Sequence, residues 1–164
     1  MSTGSEDLIV IQTLEQAQTG QEFAKIPSHV TVLSWFTLQK MRVEELVETL
    51  DELVVAHGAN ARTMTGLQRV RYGINEDIPA CTLEYATRAI HDGARERVDE
   101  LGGTYHYPQY ARNWSPHITD ELGISVQPGD EVRFASLALI SRQDSETGKR
   151  KVVEFGAPLG QANG

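Results

Sequence analysis

The chain has 164 residues, 40% hydrophobic and 23% charged, which fits one globular domain or two small lobes around one core and excludes wholesale disorder. Its net charge of −8 argues against a protein that grips long duplex nucleic acid by counterion release, yet allows a small nucleotide in a locally positive pocket. Apolar runs such as Leu8–Ile11 and Ser136–Ile140 are too short to span a bilayer, no basic secretory leader is visible at the N-terminus, and the single Cys81 excludes an intrachain disulfide; together these predict a cytoplasmic protein, of a cell or of an infected host cell, with no membrane partner.

In chain order, residues 1–7 are small and polar and are expected to be flexible. Leu8–Ile11 reads as a strand and Glu15–Lys25 as a short helix, interrupted by Pro27. His29–Phe36 reads as a strand, with His29, Thr31, Leu33 and Trp35 on one face. Val43–His57 carries apolar residues at helical spacing, with Gly58 as its stop. Strands follow at Met64–Tyr72 and Ala80–Glu84 around a turn at Gly73–Pro79, and Cys81 reads as a small buried hydrophobe. Tyr85–Leu101 reads as a second long helix ending at Gly102-Gly103, although Gly93 inside it costs about 1 kcal/mol against Ala. Gly103–Trp114 reads as a loop and His117–Thr119 as a short strand. Glu131–Arg142 and Arg150–Phe155 form a hairpin across a turn at Asp144–Gly148, and the tail from Gly156 is loose, with 157–164 flexible.

One internal echo carries chemistry. Pro27-Ser28-His29-Val30-Thr31 matches Ser115-Pro116-His117-Ile118-Thr119, whereas His57, His91 and His106 have Ala59, Gly93 and Pro108 two places on. On a strand, residues i and i+2 face one side, so each motif presents an imidazole beside a hydroxyl. Two such strands side by side would offer two imidazoles and two hydroxyls to one phosphate. A neutral imidazole can take a proton from water or a ribose hydroxyl while a protonated one gives a proton to the leaving oxygen, and no metal is needed. Neither a His-Glu-x-x-His spacing nor a Walker-type loop is present, so no metal site and no cofactor are expected.

The pair His29-Val30-Thr31 and His117-Ile118-Thr119, with the chain's size, motif separation, Pro116 and C-terminal hairpin, resembles the two-histidine (2H) phosphoesterase superfamily, which includes RNA 2′,3′-cyclic phosphodiesterases of the 2′-5′ RNA ligase type. The resemblance implies an α+β bilobal fold over residues 1–164, two pseudo-symmetric antiparallel sheets with outer helices and a central cleft. It implies His29 and His117 as the acid/base pair and Thr31 and Thr119 as phosphate ligands. The family motif usually ends in an apolar residue; Val32 fits and Asp120 departs.

The implied activity is hydrolysis of a nucleotide phosphodiester, by default a 2′,3′-cyclic phosphate of an RNA end or a small nucleotide. Degradation of cyclic oligonucleotide immune signals, as by phage enzymes, and nucleotide binding without turnover remain as alternatives. Base stacking would fall to Trp35, on the face of His29 and Thr31, and to Tyr110 and Trp114, with Tyr107 nearby. Lys25 and Arg112 are near the motifs and could neutralise a phosphate. A monomer is expected.

Overall fold

The computed structural model describes residues 4–121, 123–145 and 148–160. Among these, ten strands run β1 (Ser5–Thr13), β2 (Glu22–Phe23), β3 (His29–Gln39), β4 (Thr63–Tyr72), β5 (Ile78–Tyr85), β6 (Thr104–Tyr105), β7 (His117–Thr119), β8 (Glu131–Arg133), β9 (Ser136–Ser145) and β10 (Gly148–Pro158). Three α-helices among the described residues, α1 (Val43–Ala61), α2 (Ala89–Glu100) and α3 (Pro108–Arg112), complete the α+β fold. The strands form one antiparallel sheet ordered β2-β10-β9-β1-β3-β7-β5-β4-β8, with β6 added to β3. The two expected sheets are the two halves of this one. They join at a single rung, Val30 of β3 against Ile118 of β7.

The main core lies between the sheet and the two long helices. Leu46 and Leu50 of α1 and Ile90, Ala94 and Val98 of α2 pack on Leu8, Val30, Phe36, Ile118 and Leu139. Cys81 is fully buried within it. Gly93, unfavourable by propensity, sits where the helices meet, since a Cβ there would lie 2.6 Å from Leu53 Cδ2. A smaller cluster on the opposite face of the sheet joins Ile9, Ile11, Ala138, Ile140 and Val153 to the half-buried Trp35.

Several elements depart from the sequence reading. The expected helix at Glu15–Lys25 is irregular chain plus β2, because tertiary partners take its backbone groups: Ala17 N–H donates to Ser136 Oγ at 2.9 Å, and β2 pairs with β10. Helix α1 runs past Gly58 to Ala61; Gly58 serves close packing, since a Cβ there would lie 3.1 Å from Gly160 N. Helix α2 begins at Ala89, leaving Tyr85 in β5, where it pairs with Met64, and Thr87 Oγ1 accepts the Ala89 N–H at 3.1 Å. The expected loop at 103–114 contains β6 and α3, with Pro108 in the first turn of α3. The expected strand Glu131–Arg142 is two strands. It breaks where Phe134 N–H donates to Arg62 O and Ala135 N–H to Thr13 O, moving the chain from the β4 edge to β1. Residues 5–7 and 157–158, expected to be flexible, are paired in β1 and β10. Of the predicted turn, Glu146 and Thr147 lie outside the described residues.

Candidate active site

The seam rung decides where the chemistry-bearing side chains go. Val30 and Ile118 face each other and are buried in the core, 0% and 1% exposed. In an antiparallel pair the neighbours of such a rung point to the other face. His29 therefore stands opposite Thr119 and Thr31 opposite His117, with a local two-fold axis through the rung. All four side chains leave the core and are half-buried. The two histidines are diagonal neighbours, a relation that puts Cβ atoms roughly 7–8 Å apart or less.

Both imidazoles are held the same way. His29 Nδ1 lies 2.8 Å from Pro27 O, and His117 Nδ1 lies 3.1 Å from Ser115 O. A carbonyl oxygen only accepts, so each Nδ1 carries the proton and donates it. Each Nε2 is then left free, a lone pair when the ring is neutral and a donor when it is charged. Burial pushes the His29 pKa below its ordinary 6.5; the Pro27 hydrogen bond and the Glu121 carboxylate oppose the shift, and the charge of His117 adds to it. The two rings thus act on each other electrostatically. Glu121 is fixed by the Ser28 hydroxyl, which donates to Glu121 Oε2 at 3.0 Å.

A cavity of ≈ 320 Å³ opens on the Thr31/His117 side of the rung. Thr31, Ser34, Tyr72, Tyr110, Trp114 and His117 line it, with Asn113 at its wall. Tyr72 stacks on His117, ring centroids 4.2 Å apart at 28°. Tyr110 is 58% exposed and sits 5.8 Å from Tyr107. His29 and Thr119 lie across the rung, off the cavity wall.

Trp114 belongs to the wall and also to the frame. Its Nε1–H donates to Thr31 O at 3.0 Å, and its ring stacks on His91 at 4.9 Å and 5° and meets Tyr85 at 4.8 Å. His91, fully buried, donates from Nδ1 to Val32 O at 2.7 Å. Val32 is the extra residue of a β-bulge, since Ile11 pairs with Thr31 and Val10 with Leu33. Two side-chain donors from the second half of the chain thus take the carbonyls of β3 in the stretch between its pairings with β7 and β6. The bulge also turns Leu33 into the core, so it leaves the face of His29 and Thr31 to which the alternation assigned it.

Trp35 keeps that face but does not line the cavity. It packs on the smaller cluster under Arg142, whose guanidinium carbon lies 4.3 Å from the ring. Lys25 and Arg112 are exposed and do not line it either. Asp120, the departure from the motif, is half-buried and held by Arg69, which grips both its oxygens, at 2.8 and 2.5 Å, and also donates to Val126 O. A second concavity of ≈ 380 Å³, lined by Arg69, Val70, Arg71 and Pro79, holds none of the four motif side chains. Sequence reasoning missed Tyr72, Ser34, Asn113 and Glu121, which have no motif; Ser34, Asn113 and Glu121 are near the motifs in the chain, and pairing across the sheet brings Tyr72 to the seam.

No family model and no curated protein sequence matches the chain. Solved structures do. TT0787 of Thermus thermophilus superposes with TM-score 0.55 at 15% identity, over 93% of this chain and 97% of that one. Escherichia coli LigT complexed with 3′-AMP gives TM-score 0.54 at 14% identity, over 96% and 100%. A structure described as a phosphoesterase gives 0.50 at 12%, over 94% and 98%. The chain has the LigT fold. At these identities the likeness fixes the architecture and leaves the chemistry to the site. LigT itself has also been seen with ATP and with NADP+. No helix among the described residues is long and apolar enough to cross a membrane.

Proposed function

We propose that this protein is a 2H-type phosphodiesterase that hydrolyses a nucleotide phosphodiester without a metal, with a 2′,3′-cyclic phosphate as its default substrate. The observation that carries this reading is the register of the seam: one rung, Val30 to Ile118, with two identically held imidazoles and two hydroxyls beside it on the face away from the main core. The LigT fold, and the nucleotides seen in LigT, support it.

The roles follow from the asymmetry of the two sides. The cavity is on the His117 side, so the nucleoside occupies that side and the ribose oxygen that leaves phosphorus faces His117. In-line attack then brings water from the His29 side. His29 is kept neutral by burial, and its bare Nε2 takes the water proton as the new P–O bond forms. His117 Nε2–H gives its proton to the ribose oxygen as the old P–O bond breaks, and the product is a phosphate monoester. Thr31 and Thr119 donate hydroxyl hydrogen bonds to the non-bridging oxygens, whose charge grows in the transition state. A cavity of ≈ 320 Å³ is at the small end for ligand sites and suits a single nucleoside.

The test is turnover by EDTA-treated protein on 2′,3′-cyclic mononucleotides beside cyclic di- and trinucleotides, read by mass spectrometry. His29→Ala and His117→Ala should each lose about 10²–10⁴-fold in kcat while remaining folded. Thr31→Ala and Thr119→Ala should lose less. Full activity in either histidine variant would overturn the reading, and tight nucleotide binding with no product would replace it by that of a binding module.

A further inference from the structure

The seam has a two-fold frame, but the two imidazoles are not braced alike. Among the described residues, ring contacts include a stack on His117 and none on His29. The stacking ring, Tyr72, is the last residue of β4, two strands away from β7 across β5. Tyr72 pairs with Ile78 of β5, two residues from Ala80, the small and fully buried residue that pairs with Thr119 of β7. The chain reverses directly after it, at Gly73 with φ 95°. The Ser115 side chain also stands close enough to act on the Tyr72 phenol, while the Ser115 carbonyl accepts from His117 Nδ1. One face of the His117 ring and its Nδ1 are therefore both fixed by a three-residue bracket, Tyr72–Ser115–His117.

We propose that Tyr72 is a positioning residue for His117, holding its ring so that Nε2 stays aimed at the phosphate subsite between Thr31 and Thr119. This rests on the reading of His117 as a catalytic residue. A single hydrogen bond from Nδ1 leaves a half-buried imidazole free to rock about it, and only a stacked partner removes that freedom. Misplacement of a reacting group by about 1 Å can cost on the order of 10²-fold, so the brace acts on kcat rather than on binding. The groups around His117 are His29 from β3, Tyr72 from β4, the uncharged Thr82 from β5, and Ser115 and Trp114 just before it in the chain. Tyr110 of α3 acts on Tyr72, and Glu121 acts on His29. Of these, the Tyr72 ring is the one stacked on it.

Tyr72→Leu, Tyr72→Phe and Ser115→Ala test this in the full chain. Tyr72→Leu should lower kcat roughly 10–100-fold with KM changed less than about threefold, and Tyr72→Phe should restore most of kcat. Ser115→Ala, which keeps the backbone carbonyl and so the Nδ1 bond, should lower kcat only a few-fold. A readout independent of turnover is the ring-current shift of the His117 Cε1 and Cδ2 protons, which should be lost in Tyr72→Leu and kept in Tyr72→Phe. A raised KM with unchanged kcat in Tyr72→Leu would make Tyr72 a substrate contact and overturn the proposal, as would unmoved His117 protons. If no phosphodiester is turned over, the catalytic reading fails on its own, and the ring-current comparison still decides whether Tyr72 fixes His117. If Tyr72→Leu does not fold, loss of kcat in Ser115→Ala with His117 protons displaced supports the bracket, and no change in either refutes it.

Discussion

His91→Ala should cost stability and activity together, because His91 supports the bulge that places Thr31. The substitution removes the donor to Val32 O, a 2.7 Å bond from a fully buried residue, and leaves that carbonyl without its partner. It also removes the parallel stack on Trp114 at 4.9 Å. An orphaned buried acceptor costs about 1–3 kcal/mol and an aromatic stack about 0.5–1.5 kcal/mol, so the loss should be roughly 2–4 kcal/mol. Equilibrium urea unfolding at pH 8, where His91 is neutral, measures it. A double-mutant cycle with Trp114→Phe, which keeps an aromatic ring but deletes the Nε1–H donated to Thr31 O, should show coupling, since both residues cap one stretch of β3. The expected functional consequence is a several-fold loss of kcat as Thr31 drifts. A loss below about 0.5 kcal/mol, or strict additivity with Trp114→Phe, would refute the claim that these side chains hold the stretch of β3 between β7 and β6.

Three further outcomes follow from the same structure. His29 and His91 are both held by burial below the ordinary 6.5, so between their folded values and 6.5 the unfolded chain binds protons that the folded chain does not. Stability should therefore rise with pH through that window and level off above it, and His91→Asn should flatten the slope in a melting-temperature series. Glu121 opposes the depression of the His29 pKa, so Glu121→Gln should move the acidic limb of the kcat/KM profile to lower pH; movement to higher pH would contradict the assignment of His29 as base. Asp120→Val restores the apolar pattern of the motif but removes the paired contacts with Arg69, and should lower stability measurably in thermal or urea unfolding, with a smaller effect on kcat than either histidine variant.

The parts legible in sequence were those set by local periodicity. The alternation of His29–Thr31 and His117–Thr119 places imidazole and hydroxyl on one face whatever the rest of the chain does, and the apolar spacing of Val43–Val54 makes a helix in almost any context. Segments whose backbone is satisfied by distant partners were not legible. Residues 15–25 have helical composition, but Ser136 and β10 hold them as irregular chain and the short strand β2. The bulge at Val32 is invisible in an alternating pattern, because what permits it is a pair of donors some 59 and 83 residues away. The same limit hid Tyr72. Nothing in its neighbourhood marks it, and only the strand order β7-β5-β4 brings it to His117. The aromatic residues chosen for proximity in sequence fared unevenly for this reason. Tyr110 and Trp114 line the cavity, whereas Trp35 is held under Arg142.

The most direct test of two imidazoles acting on one phosphate is the kcat of the His29→Ala/His117→Ala double variant on a 2′,3′-cyclic mononucleotide, set beside the two single variants. Groups that act as a unit are not additive, so the double variant should be about as slow as the slower single variant. Losses that multiply, or a single variant as fast as the unsubstituted protein, would mean that the seam does not bring the two rings to a common substrate.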